Sequence, residues 1–219
     1  MSSTSTLPRV TVSSRGGSRL KGGHLWVYRS DVDSTEAVPP GSIVKLVDTK
    51  GRPLGTAVYS SSSQIAIRLI SPEPVSDLAA YLKGRIRQAV AYRELVVSNT
   101  DAYRVVFSEA DFLPGLIVDR YNDILSFQIL IHAMDTNVAR QTVISTLKEK
   151  FTPAGIVERV DPRVRELEQL APRSSALVEG EKTSTTFTMN GVRFQFSALS
   201  GQKTGAFLDQ RENYASAEQ

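Results

Sequence analysis

The chain has 219 residues, 41% of them hydrophobic and 22% charged, with a formal net charge of +3, the make-up of a protein with a real core rather than of a disordered chain. It contains no cysteine and two histidines, His24 and His132, far apart in sequence; a disulfide framework, a thiolate zinc site and a cysteine nucleophile are excluded, and a histidine-rich metal centre has no basis. No run approaches the roughly 18 to 20 apolar residues that cross a bilayer, and Met1 to Pro8 has neither the basic start nor the apolar stretch of a secretory leader, so a cytoplasmic location is expected by elimination.

Charge is unevenly distributed. Residues 1–70 carry nine Lys/Arg against four Asp/Glu, a net of +5, whereas residues 71–219 carry seventeen against nineteen, a net of −2. A small basic unit at the front has an electrostatic reason to bind a polyanion, because each neutralised phosphate releases condensed counterions.

In chain order, Arg9-Val10-Thr11-Val12 reads as a short strand, interrupted by Ser13 to Ser18 with its Gly16-Gly17 pair. Arg19 to His24 reads as one helical turn stopped by Gly22 and Gly23, after which Leu25-Trp26-Val27-Tyr28 resumes an extended, aromatic path. Trp26, the only tryptophan, fits either an anchor of a small core or a base-stacking surface. Strand signals follow at 42–47, 53–59 and 64–69, the first two joined by a glycine-containing turn over 48–52. Short strands with tight turns predict a closed or nearly closed β structure.

Ser76-Asp77 can cap a helix in which Leu78, Leu82, Ile86 and Val90 recur every fourth residue, with Ala79, Ala89 and Leu95 near the same stripe. Lys83, Arg85, Arg87 and Arg93 give that helix a basic outer side, either a solvated face or a continuation of an anion path. Segments 103–107, 116–121 and 124–130 read as a meander, 135–151 as its covering helix, 154–160 as a further strand and 161–169 as a short exposed helix or loop. Asn190-Gly191, between 186–189 and 192–196, is the strongest hairpin signal, because a type I′ turn needs left-handed dihedrals that Asn and Gly tolerate. Glu109 and Asp111 sit together in a loop closed by Pro114-Gly115, but no histidine or cysteine lies nearby in sequence to complete an acid–base site.

Three strings carry a resemblance. Arg19-Leu20-Lys21-Gly22-Gly23-His24-Leu25-Trp26-Val27-Tyr28, followed by the 41–47 strand and Gly55-Thr56-Ala57-Val58-Tyr59, resembles the PUA domain at the start of the large-subunit (23S) ribosomal RNA cytosine-5 methyltransferase family. The stretch Glu109 to Arg120 resembles the central α/β domain of that family. Gln202-Lys203-Thr204-Gly205 with Leu208-Asp209-Gln210-Arg211 resembles the motif that opens its Rossmann-like catalytic domain and borders the S-adenosylmethionine pocket.

The resemblance implies a mixed α/β fold: an RNA-binding PUA-like small β pseudo-barrel over 1–72, then a central α+β domain over 73–199 with an antiparallel-rich sheet and covering helices, then the start of a methyltransferase domain over 200–219. It implies RNA contact by Arg19, Lys21, Gly22, Gly23 and Arg29, with glycines letting the backbone approach a phosphate and cations supplying charge-assisted hydrogen bonds. It implies a cofactor- or substrate-border role for Lys203, Thr204, Asp209, Gln210 and Arg211. The implied partner is ribosomal RNA, and the implied cofactor of the full-length protein is S-adenosylmethionine. No catalytic residue, metal or membrane partner is expected here, and a homodimer stays open. The family's glycine-rich cofactor turn, ribose-binding acid and nucleophilic cysteine have no counterpart in these residues. The expectation is therefore a truncated, non-catalytic front portion that does not hold the methyl donor tightly, with a stand-alone RNA-binding or ribosome-associated protein as the alternative.

Overall fold

The computed structural model describes residues 7–35, 38–200 and 207–217. Ser13 follows the first strand, β1 (Arg9–Val12), and its hydroxyl accepts the Gly16 amide at 3.1 Å, so Ser14–Lys21 form helix α1 where the sequence predicted an interruption. The glycines that read as breakers serve close packing instead: a methyl group on Gly16 would sit 3.1 Å from Asp31 Cβ and 3.4 Å from Val27. After α1 come β2 (Trp26–Tyr28), a 3₁₀ turn over Arg29–Asp31, β3 (Val32–Thr35), β4 (Ile43–Val47), β5 (Pro53–Tyr59) and β6 (Ile65–Ser71).

These strands pair in the order β2-β6-β5-β4-β1-β3, and only β1 and β4 run parallel. The two outer strands, β2 and β3, are joined by just the three residues Arg29–Asp31. Laid flat, six strands would hold those edges about 24 Å apart, whereas the connection spans about 14 Å at full stretch. The sheet must curl into a half-barrel. Val10, Val27, Val44, Leu46, Ala57 and Ile67 fill its inside and are fully buried.

Helix α2 (Leu78–Val96) starts at Asp77, whose carboxylate accepts the Ala80 amide at 3.0 Å. Its stripe is buried through Leu82, Ile86, Ala89 and Val90. Leu95, expected near that stripe, is 85% exposed, because five residues on from Val90 it has turned away from the buried face, where Arg93, two residues earlier, stands instead. The chain then forms β7 (Ala102–Phe107), β8 (Leu116–Tyr121), β9 (Ile124–Ile129), α3 (Asn137–Phe151), β10 (Gly155–Glu158), α4 (Pro162–Leu167) and β11 (Ala176–Gly180). The sheet order is β11-β10-β9-β8-β7, antiparallel except where α3 carries the chain from β9 to a parallel β10.

Period-two alternation gives this sheet two dry faces. Val106, Val118, Leu125, Phe127 and Ile156 pack with α2 and α3, while Ala102, Tyr121, Ile124 and Val157 pack with Phe187, Met189 and Phe196. The last three belong to the hairpin β12 (Ser184–Met189) and β13 (Val192–Ser197), whose turn has φ of 51° at Asn190 and 78° at Gly191, as the sequence predicted. Tyr121 stacks on Phe196 with ring centroids 3.8 Å apart. The class is mixed α/β, a curled β unit followed by an α+β unit with an antiparallel-rich sheet.

The basic outer side expected on α2 is not a free face. Lys83 and Arg87 pair with Glu149 of α3, Arg85 donates to the Asp111 carbonyl, and Arg93 pairs with the Asp111 carboxylate. Those contacts tie α2 to α3 and to the turn over 108–111, while Lys83 and Arg87 keep side chains 44% exposed.

Candidate nucleic-acid interface

Helix α1 ends at Lys21, and Lys21, Gly22, Gly23 and His24 are all exposed. The amides of Gly22, Gly23 and His24 bond back to the carbonyls of Ser18, Leu20 and Arg19, closing the helix end. Gly23 has φ of +91°, and nothing lies within 4 Å of where a Cβ would stand. The turn is therefore both left-handed and open to solvent, a place where another chain's backbone can come close.

Beside it, two arginines share one carboxylate. Arg15 Nε lies 2.6 Å from Asp31 Oδ1 and Arg19 Nη1 lies 3.4 Å from Asp31 Oδ2. The Arg19 guanidinium also sits 5.2 Å from the Tyr28 ring centroid. Asp31 is buried, so two surface cations are oriented by one anion beneath them and the local charge stays positive.

Of the five residues implied for RNA contact, Arg19, Lys21, Gly22 and Gly23 come together at one end of α1. Arg29 is placed otherwise. Its Nη2 donates to the carbonyl oxygens of Ser60, Ser61 and Ser63 at 3.2, 2.6 and 2.7 Å, so it holds the β5–β6 loop.

Glu109 and Asp111 prove to be fasteners. Glu109 accepts a 3.1 Å hydrogen bond from Trp26 Nε1 and lies 3.6 Å from Arg68 Nε, while Arg68 Nη2 reaches Glu168 at 3.1 Å. Both oxygens of Asp111 receive Arg93, and one of them also accepts the Phe107 amide at 2.6 Å. Tyr81 completes the seam: its hydroxyl lies within hydrogen-bond reach of the Ile70 and Phe112 carbonyls, and burial pushes its phenol up to about 12. The contacts of Trp26, Arg68 and Tyr81 join the half-barrel to the second unit, and those of Asp111 brace the second unit itself.

A second charged cluster escaped the sequence reading. Arg140 reaches Glu158 with two hydrogen bonds of 3.0 Å and Asp135 with one of 2.6 Å, and Arg165 reaches Asp135 at 2.9 Å. Burial alone would raise the pKa of Asp135, but hydrogen bonds from Arg165 and Arg140 outweigh it and hold this carboxyl below its ordinary value.

Lys203 and Thr204 lie outside the described residues. Asp209 and Gln210 fall in a 3₁₀ turn over Leu208–Gln210, and Arg211 opens α5 (Arg211–Ala217). Asp209 and Arg211 line an open groove of about 670 Å³ together with Arg93, Arg104 and Phe107. S-adenosylmethionine does not fit the described residues. A dinucleotide-type pocket needs a glycine-rich turn between a strand and the helix that follows it in a parallel βαβ unit. Here the crossover from β9 to α3, residues 130–136, contains no glycine, and its acid, Asp135, is taken by two arginines. Among the described residues there is no cluster of His, Cys, Asp or Glu that could hold a metal ion, and no helix is long and apolar enough to cross a membrane.

Residues 10–72 match the family model of PUA-like domains. Over a longer span, the chain is 35% identical across 202 residues to ribosomal RNA large subunit methyltransferase I of Tolumonas auensis, covering 89% of this chain and 50% of that protein. The protein of the same name from Shewanella amazonensis is 35% identical over 201 residues, with 89% and 50% covered. The chain thus spans about half the length of the curated relatives it matches. Among solved structures, SMU.776, a candidate methyltransferase crystallised with SAH, superposes with a TM-score of 0.77 at 23% identity, over 94% of this chain and 52% of that one. That likeness shows the shared fold.

Proposed function

We propose that this chain is the RNA-recognition and substrate-positioning portion of a cytoplasmic S-adenosylmethionine-dependent methyltransferase acting on cytosine C5 of 23S ribosomal RNA. Residues 1–72 form the RNA-binding unit, 73–199 the unit that positions the substrate, and 200–219 the opening of a methyltransferase unit. The observation that carries the reading is the exposed Lys21-Gly22-Gly23 turn with Arg19 beside it, standing inside the stretch that matches PUA-like domains. The names of the relatives agree with it.

In this assignment Lys21 contributes a compact positive charge, the two glycines let a phosphate approach the backbone, and Arg19 offers a planar donor set. Arg29 acts indirectly by shaping the loop beneath. Asp209, Gln210 and Arg211, with Lys203 and Thr204, border the substrate or the donor in the full-length enzyme. S-adenosylmethionine would supply the methyl group there. The present chain has no cysteine to add to the pyrimidine ring, and the described residues include no glycine-rich strand-to-helix turn to hold the donor, so calorimetric titration with S-adenosylmethionine is expected to show no micromolar binding.

The test is affinity for ribosomal RNA fragments against salt concentration, for the parent chain and for Arg19→Ala with Lys21→Ala. Binding should weaken with salt, and the double variant should lose affinity with a shallower slope, about one fewer counterion released per phosphate contact removed. A chain that does not bind RNA, or a double variant that binds as the parent does, would overturn the reading.

A further inference from the structure

Strand β2 lies at the edge of the half-barrel, and its alternation buries Val27 while leaving Trp26 and Tyr28 39% and 38% exposed on the opposite side. Nothing in the fold requires two large rings in water there. The polar atom of Trp26 is nevertheless satisfied: Nε1 donates to Glu109, 83 residues further along the chain. A carboxylate of the second unit thus fixes the orientation of the indole without burying it. Tyr28 is oriented as well, by the Arg19 guanidinium 5.2 Å from its ring centroid.

Side chains two residues apart on one side of a strand stand about 6.7 Å from each other. Bases stacked in a duplex strand are about 3.4 Å apart, too close for one ring each, and their faces are covered by neighbours. An opened strand can spread adjacent bases to the wider spacing and show its faces to aromatic rings. The surroundings suit such a strand: Arg19 stands over Tyr28 and shares Asp31 with Arg15, Lys21 is exposed two residues further along α1, and Arg68 sits against Glu109.

We propose that Trp26 and Tyr28 form a stacking platform for two adjacent unpaired bases, so that this interface takes single-stranded RNA, such as a loop or an opened strand, rather than duplex. The platform rests on the RNA-binding function proposed above and gives it a substrate class. Arg19 and Lys21 hold the sugar–phosphate chain, and the two rings hold its bases.

Trp26 is the only tryptophan, so its fluorescence reports contact directly. The whole chain is titrated with a short unstructured adenine-rich oligoribonucleotide and with a duplex of equal length. Single strand should quench the emission to saturation while duplex leaves it nearly unchanged. Trp26→Ala and Tyr28→Ala should each weaken single-strand binding about tenfold, within the range for base–aromatic stacking, with the salt slope unaltered. Lys21→Ala should instead lower the slope. Trp26→Phe keeps a ring and should retain most of the affinity, which guards against a folding artefact in the alanine variant. Salt-dependent binding with unmoved emission, and aromatic variants that bind like the parent, would sink the platform while leaving the RNA surface standing. If neither single strand nor duplex binds, the platform and the function beneath it both fall.

Discussion

In the second unit, Arg140 and Arg165 have side chains 7% and 6% exposed and are matched by Asp135 and Glu158, whereas on the α1 side of the half-barrel Arg15 and Arg19 are 66% and 42% exposed around one buried Asp31. Lys21 has no carboxylate partner among the described residues. The same type of side chain therefore does two jobs, and burial separates them. Where arginine is enclosed with its carboxylates, it stitches elements of the chain together. Where it stays exposed over a single buried carboxylate, positive charge faces solvent.

The sharpest way to break this contrast is Arg140→Ala, which takes both 3.0 Å hydrogen bonds from the buried Glu158 and leaves it only Arg173 at 3.4 Å, while Asp135 keeps Arg165. Removing one partner of a buried pair costs about 3 to 5 kcal/mol, and urea unfolding at neutral pH should show a loss of that size; a loss under about 1 kcal/mol would make the cluster ornamental. Arg93→Ala should cost less, about 2 kcal/mol, because Asp111 keeps its bond from the Phe107 amide.

Acid sharpens the picture further. Asp135 has a folded-state pKa depressed below its unfolded value, so its stabilisation is complete above about pH 5 and is lost as the pH falls through the folded value. Asp135→Asn should accordingly lower stability at neutral pH and make the acid limb of a stability–pH curve shallower. The smallest stability effect belongs to Lys21→Ala. It should leave the unfolding free energy within about 0.5 kcal/mol of the parent, yet reduce the salt dependence of RNA binding by about one unit of slope. A Lys21 variant that melts early would place that residue on the structural side of the contrast.

How much of this was legible in the sequence depends on the range of the interaction. The meander, α3 and the hairpin at Asn190-Gly191 follow from local periodicity and turn chemistry, and the structure keeps all of them. The turn at Arg19–Lys21 was expected, but the first part of helix α1 was missed because Gly16 and Gly17 look like breakers until the wall they pack against is known. Strand β11 was missed because Ala176–Gly180 is an edge segment with no alternation of buried and exposed positions. At the candidate interface, Lys21-Gly22-Gly23 stood out as a string. The loop-holding role of Arg29 did not, since its carbonyl partners lie 31 to 34 residues away. The Trp26–Glu109 bond spans 83 residues and leaves no local trace at all.

Arg68 belongs to β6 of the half-barrel, but its two carboxylate neighbours, Glu109 and Glu168, are both supplied by the other unit. Severed from them, Arg68 would lose both of its counterions. Those ion pairs, with the Trp26–Glu109 bond, link the two units through side chains rather than through the chain alone, in the manner of a jig rather than a tether.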